Sequence, residues 1–100
     1  MKNIELNEVY TLKISSGEEI VAKIVNVDDG VIEISSPLSV APSHQGMGLV
    51  SSVFTAESDK NIMLNTNTVI MYALTADHVR IKYIEATTGI TTTSKKIVLG

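Results

Sequence analysis

The stretch from Tyr10 to Ile34, YTLKISSGEEIVAKIVNVDDGVIEI, decides the fold. Tyr10, Leu12 and Ile14, then Ile20, Ala22 and Ile24, alternate with polar residues on either side of Ser16-Gly17-Glu18. Side chains that alternate in this way stand on opposite faces of a strand, so each of the two strands puts one apolar face on a core. Ser16-Gly17 supplies the tight turn between them, and the pair reads as a β-hairpin opening a small barrel. A second turn at Asp28-Asp29-Gly30, where Gly tolerates positive φ, leads into a third antiparallel strand through Val31, Ile32 and Ile34.

Beyond Ile34 the apolar pattern continues through Leu38 and Val40 until it meets Ala41-Pro42-Ser43-His44-Gln45-Gly46-Met47-Gly48. Proline lacks an amide donor and glycine weakens a strand, so the third strand is expected to end in an exposed loop across Pro37 to Gly48. Leu49, Val50, Val53 and Phe54 return as a fourth strand, and Ser58-Asp59-Lys60-Asn61 is the next turn. A short apolar piece, Ile62-Met63-Leu64, and a polar corner, Asn65-Thr66-Asn67-Thr68, precede Val69-Ile70-Met71-Tyr72-Ala73-Leu74. Such a continuous apolar run predicts burial on both faces, inside a barrel or against a neighbouring subunit.

Thr75 as N-cap, Ala76, Val79, Tyr83 and Ala86 at helical spacing, and Gly89 at the end predict a helix over 76–87. The alternation of Val79, Ile81 and Tyr83 leaves a strand as the rival reading. The tail over 88–100 holds a threonine run, Lys95-Lys96 and Ile97-Val98-Leu99, which either adds an edge strand or stays mobile.

Composition narrows the class. A chain of 100 residues is read as a single domain over 1–100, and its apolar mass is Val, Ile and Leu, since hydrophobic residues are 44% and aromatics only 4%. A net charge of −3 excludes a polybasic nucleic-acid arm, and the absence of cysteine excludes disulfides and thiolate metal sites. No window approaches the roughly 20 apolar residues of a membrane span, and the N-terminus has no apolar signal core. A cytoplasmic protein without a membrane partner is expected.

Chemistry-bearing constellations are sparse. His44 sits in the Pro/Gly-rich segment and His78 follows Asp77, but adjacency in sequence does not make an acid–base pair. No nucleophile elbow surrounds any serine, and Asp28-Asp29 lacks the further oxygen ligands of a calcium loop. No catalytic residue, metal or cofactor is therefore expected, and an enzyme ranks third among the functional readings.

The tight Ser-Gly hairpin, the Asp-Asp turn, the long hairpin of the third and fourth strands and the Asn-containing corner together resemble an Sm or LSm protein. The first Sm motif is similar to Tyr10–Ile34 and the second to Leu64–Tyr72, about two thirds of the chain. The general cast, with Ala86-Thr87-Thr88-Gly89-Ile90 after the last strand, is similar to small Sm-like proteins of marine phages of the cyanophage type. The resemblance implies a mainly β fold: a five-stranded, strongly bent antiparallel barrel of the SH3 type over about 8–74, with a C-terminal helix. It also implies a homo-oligomeric ring that binds single-stranded RNA or DNA, in the host cytoplasm if phage-encoded.

Departures from the family qualify that function. Val31 and Ile32 stand where an aromatic or Met followed by Asn would stack on and read a base. Asn65-Thr66-Asn67 stands where the family has Arg-Gly-Asn, which keeps the last Asn and loses the cation, and Ala22 stands near the family's second-strand glycine. The nucleic-acid candidates are Asn65, Asn67 and Lys60, with Arg80, Lys82 and the His44 segment as further parts. The interface candidates are Val50, Val53, Phe54, Val69, Met71 and Tyr72, on the segments expected to mate between subunits. The alternative is a structural or protein-interaction ring that uses Pro37 to Gly48 and binds no nucleic acid.

Overall fold

A computed structural model describes residues 1–57 and 59–89, together with the backbone of 97–98. The chain is mainly β, an antiparallel sheet with one helix after it. Its strands are β1 (Glu8–Ile14), β2 (Glu19–Asp28), β3 (Val31–Ser43), β4 (Gly46–Ser51), β5 (Ile62–Asn65), β6 (Val69–Leu74) and β7 (Ile97–Val98), and the helix is α1 (Asp77–Thr88). The hydrogen-bonded order is β6-β1-β2-β3-β4-β7, with β5 beside β3. Seven strand segments thus replace the five expected, and no pairing among the described residues joins β6 to β7 or β5, so the sheet is open.

The period of two in β1 and β2 sorts the core onto two faces. Tyr10, Leu12, Ile20, Ala22, Ile24, Ile32 and Ile34 form one buried cluster, covered by Ile4, Ile62, Leu64, Val69 and Tyr72. Their neighbours Val9 and Val21 point the other way and join Leu49 and Tyr83 in a second cluster, which α1 covers. Each fully buried Leu or Ile contributes about 1.5–3 kcal/mol, so this sorting is the main stabilising pattern. Turns follow the glycines at the two hairpins, with Gly17 at φ 94° and Gly30 at φ 78°.

Three expectations are corrected. The segment from Pro37 to Gly48 is not a loop: β3 runs through both prolines to Ser43 and turns back over His44-Gln45 into β4. Beyond Ser39 β3 no longer faces β2, which leaves Pro42 without a ladder partner on that side, and Pro37 lies at a register shift. Thr75 does not cap α1; Ala76 holds that position without a side-chain bond, while Thr75 Oγ1 pairs with Thr11 Oγ1 at 2.9 Å. Finally, β6 is not buried on both faces within its own chain: Ile70, Met71 and Leu74 are exposed, which leaves burial against a neighbouring subunit as the other form of that expectation. The helix itself forms, ended by Gly89 in the left-handed region at φ 71°. Of the tail, 97–98 pair with β4; Lys95, Lys96 and the threonine run lie outside the described residues, as does Ser58 of the expected turn.

β2 and β3 slip past one another twice. Val21 faces Leu38 but Lys23 faces Ser35, an extra residue in β3; Ile24 faces Ile34 but Asn26 faces Glu33, an extra residue in β2. Such bulges bend and twist a strand pair. Ser36 sits in the first at φ 51°, a left-handed conformation that costs a non-glycine residue about 1 kcal/mol or more.

Candidate functional site

Two features stand out on this scaffold: strand edges carrying exposed apolar side chains, and a corner that ties two hairpin turns together.

The corner is a 3-10 turn over Thr66–Thr68. Asn65 caps it, its side-chain oxygen accepting from the Asn67 amide at 3.0 Å, and the Thr68 hydroxyl donates to the Asn65 carbonyl at 2.7 Å. The Thr66 amide donates to Gly30 O at 3.0 Å, and Thr68 O accepts from the Ser15 amide at 2.7 Å. The corner therefore gathers the Ser15–Gly17 and Asp28–Gly30 turns onto one rim. Asn65 and Asn67 are both exposed there, but they differ in availability: the Asn65 oxygen is engaged as a cap, whereas no hydrogen bond among the described residues uses the Asn67 side chain.

Lys60 does not join them. It is exposed just before β5, and Asn65 ends that strand, so the two are separated by the length of β5, roughly 13 Å at about 3.3 Å per residue. The charged residues nearest the rim in sequence are Asp28 and Asp29, and the Asn26 side-chain nitrogen donates to the Asp28 carboxylate at 3.5 Å. Arg80 is held by Asp77 on α1 at 3.2 Å, and His44 is exposed at the tip of the β3–β4 hairpin.

The strand edges show how the apolar residues are apportioned. Ile14 pairs with Val69 but Lys13 with Met71, so Ile70 is an extra residue in β6. That bulge turns Val69 and Tyr72, three residues apart, toward the core, where both are partly buried. Tyr72 is further engaged, its hydroxyl accepting from the Lys2 amide at 2.6 Å and donating to the Lys2 carbonyl at 3.1 Å. Outward stand Ile70 at 59%, Met71 at 63% and Leu74 at 57% exposure. Met71 is thus the outward residue among the candidates Val69, Met71 and Tyr72; Ile70 and Leu74 also face outward, and a bulge cannot be read from an unbroken apolar run.

β5 pairs only with β3 among the described residues, and it exposes Met63 at 64%. The segment after β4 exposes Val53 and, at 87%, Phe54, beside a groove of about 530 Å³ lined by Leu38, Lys60, Ile62 and Ala86. Val50 is half-buried on β4, whose outer side pairs with β7. Exposed apolar side chains on an unpaired strand edge are what a second strand needs for docking, since its backbone satisfies the free amides while its side chains cover the surface.

No protein-family model matches the chain, and no curated protein matches it.

Proposed function

We infer that this chain is a non-enzymatic Sm-like protein that assembles with copies of itself into a closed ring. The observation that carries the reading is the open edge of β6, with Ile70, Met71 and Leu74 facing solvent in the single chain. The β5 edge, with Met63, is the complementary partner, because β7 already pairs with Gly48 and Leu49 of β4. Pairing β6 of one copy with β5 of the next is head-to-tail, and repetition of such a contact closes a ring. The barrel description belongs to this proposal. It is supported by one core cluster that draws on β1, β2, β3, β5 and β6, and by the bulged bend of β2 and β3.

On that ring the corner would repeat around the axis and bind single-stranded nucleic acid, RNA in preference to DNA, with Asn67 hydrogen-bonding bases or sugars. The convergence of the Asn corner with the Asp28–Gly30 turn favours this reading. Weak contacts repeated in each copy sum by avidity. A ring that binds only protein is favoured instead by Asp28 and Asp29, which repel phosphate.

Light scattering for solution mass, followed by fluorescence titration with single-stranded RNA and DNA on the same sample, tests both parts. A closed multimer whose RNA affinity falls on Asn67→Ala supports the full reading. A multimer that binds neither polymer reduces it to the protein-interaction ring, and a monomer removes the assembly itself.

A further inference from the structure

Tyr83 is the single fully buried residue of α1, 1% exposed, and its hydroxyl enters the sheet at the first bulge. The oxygen accepts from the Lys23 amide at 3.2 Å, and the hydroxyl donates to the Ser35 carbonyl at 2.7 Å. Lys23 and Ser35 face each other across the β2–β3 ladder. The phenol therefore stands between two backbone groups of facing residues, and a helix supplies a link in a strand pairing.

This link lies at the hinge between the two mating edges. β6 is carried by β1, which pairs with Glu19 to Ile24 of β2. β5 is carried by Val31 to Ile34 of β3, which pair with Ile24 and the following part of β2. Ser36 in its left-handed conformation and Pro37 separate that part of β3 from the part paired with β4. Any change in the bend between Val21 and Asn26 rotates the β5 edge relative to the β6 edge. In a head-to-tail assembly, the angle between the two edges of one copy sets how many copies close the ring.

We propose that the Tyr83 hydroxyl is a positioning group that fixes the bend of the β2–β3 pair, and through it the number of copies in the ring. Without the hydroxyl, the Lys23 amide and Ser35 carbonyl lose that partner in a partly buried place, and the strands relieve this by closing on each other, which alters the bend. The aromatic ring, packed among Val9, Val21 and Leu49, holds α1 in place together with Val79 and Ile84 and without need of the hydroxyl. This proposal rests on the self-assembly reading above.

The test is native mass spectrometry of the wild type, Tyr83→Phe and Val79→Ala, with circular dichroism of each. Val79→Ala loosens the packing of α1 and removes no hydrogen bond of the β2–β3 ladder. The expected result is a folded Y83F whose ring differs from the wild type by at least one copy, with V79A keeping the wild-type number. A folded Y83F with the wild-type number overturns the proposal while leaving ring assembly standing. V79A changing the number as Y83F does also overturns it, because helix packing rather than the hydroxyl would then set the angle. An unfolded Y83F overturns it as well, since the hydroxyl would then hold the fold itself. A monomeric wild type overturns both this proposal and the assembly reading.

Discussion

At the scale of single residues, Tyr83 joins packing to titration. Burial pushes its hydroxyl up to about 12 from an ordinary value near 10, with the Lys23 amide partly opposing the shift. The folded state thus holds the neutral phenol longer than the unfolded chain does. The stability this represents is fully present below pH about 10 and is lost as pH rises toward about 12, a decline on the order of 2–3 kcal/mol. Tyr83→Phe should remove that decline. The difference between urea-unfolding free energies of wild type and Y83F, followed from pH 8 to pH 12, checks it, and parallel curves would refute it. Asn65 and Asn67 separate in the same way. Asn65→Ala should cost about 1 kcal/mol through loss of the cap on the Asn67 amide, whereas Asn67→Ala should leave the thermal midpoint nearly unchanged and act on nucleic acid alone. Differential scanning calorimetry of the two variants distinguishes a cap from a binding group.

At the scale of elements, the β3–β4 hairpin turns over His44-Gln45, with Gly46 at φ 116° and open space where a Cβ would stand. Gly46→Ala should therefore destabilise by about 1 kcal/mol through backbone strain with no steric clash, measurable as a lowered urea midpoint at constant slope. The elements that sequence alone made legible share one property: their pattern is local. Tyr10, Leu12, Ile20, Ala22 and Ile24 announced their face by strict alternation, and all five are buried together. Gly89 marked the end of α1 because a left-handed residue there favours glycine. What stayed hidden depends on distant partners. Pro42 is tolerated in β3 because β2 begins only at Glu19 and no longer flanks it, which no local window reveals. Thr75 had the chemistry of an N-cap but spends its hydroxyl on Thr11, 64 residues earlier. The Asn corner was visible as a polar break, yet the separation of Lys60 from it follows from the direction of β5. The bulge at Ile70, which decides which β6 side chains face outward, leaves no trace in an apolar run.

The β6 edge also gives the element-scale test of assembly. Ile70→Glu places a charge where the single chain has a 59% exposed isoleucine, so folding stability should change by no more than about 0.5 kcal/mol. The same charge at a paired edge would be desolvated without a partner and should shift the species toward monomer, as sedimentation velocity would show. Retention of the wild-type mass by I70E would remove β6 from the interface.

At the scale of the whole molecule, charge acts in opposite senses on the proposed assembly and on the proposed nucleic-acid binding. Every copy brings a net charge of −3, so closing a ring gathers like charge, while the proposed contact is apolar through Ile70, Met71, Leu74 and Met63. Salt screens the repulsion among copies without weakening apolar burial, and assembly should tighten or hold steady as ionic strength rises. Nucleic acid responds in the opposite sense, because each phosphate met by a cation releases counterions and contributes a slope of about −0.7 in log affinity against log salt for a single strand. With Asp28 and Asp29 at the rim and Lys60 beyond the far end of β5, few phosphates can be met per copy, so the total slope should be shallow and the asparagines should carry much of the binding. Measuring mass and RNA affinity on one sample from about 50 to 500 mM salt should therefore show an intact multimer that releases RNA gradually. A steep slope would place the binding face on cations away from the corner. Dissociation of the multimer by salt would mean that ion pairs, not the exposed edges of β5 and β6, hold the copies together.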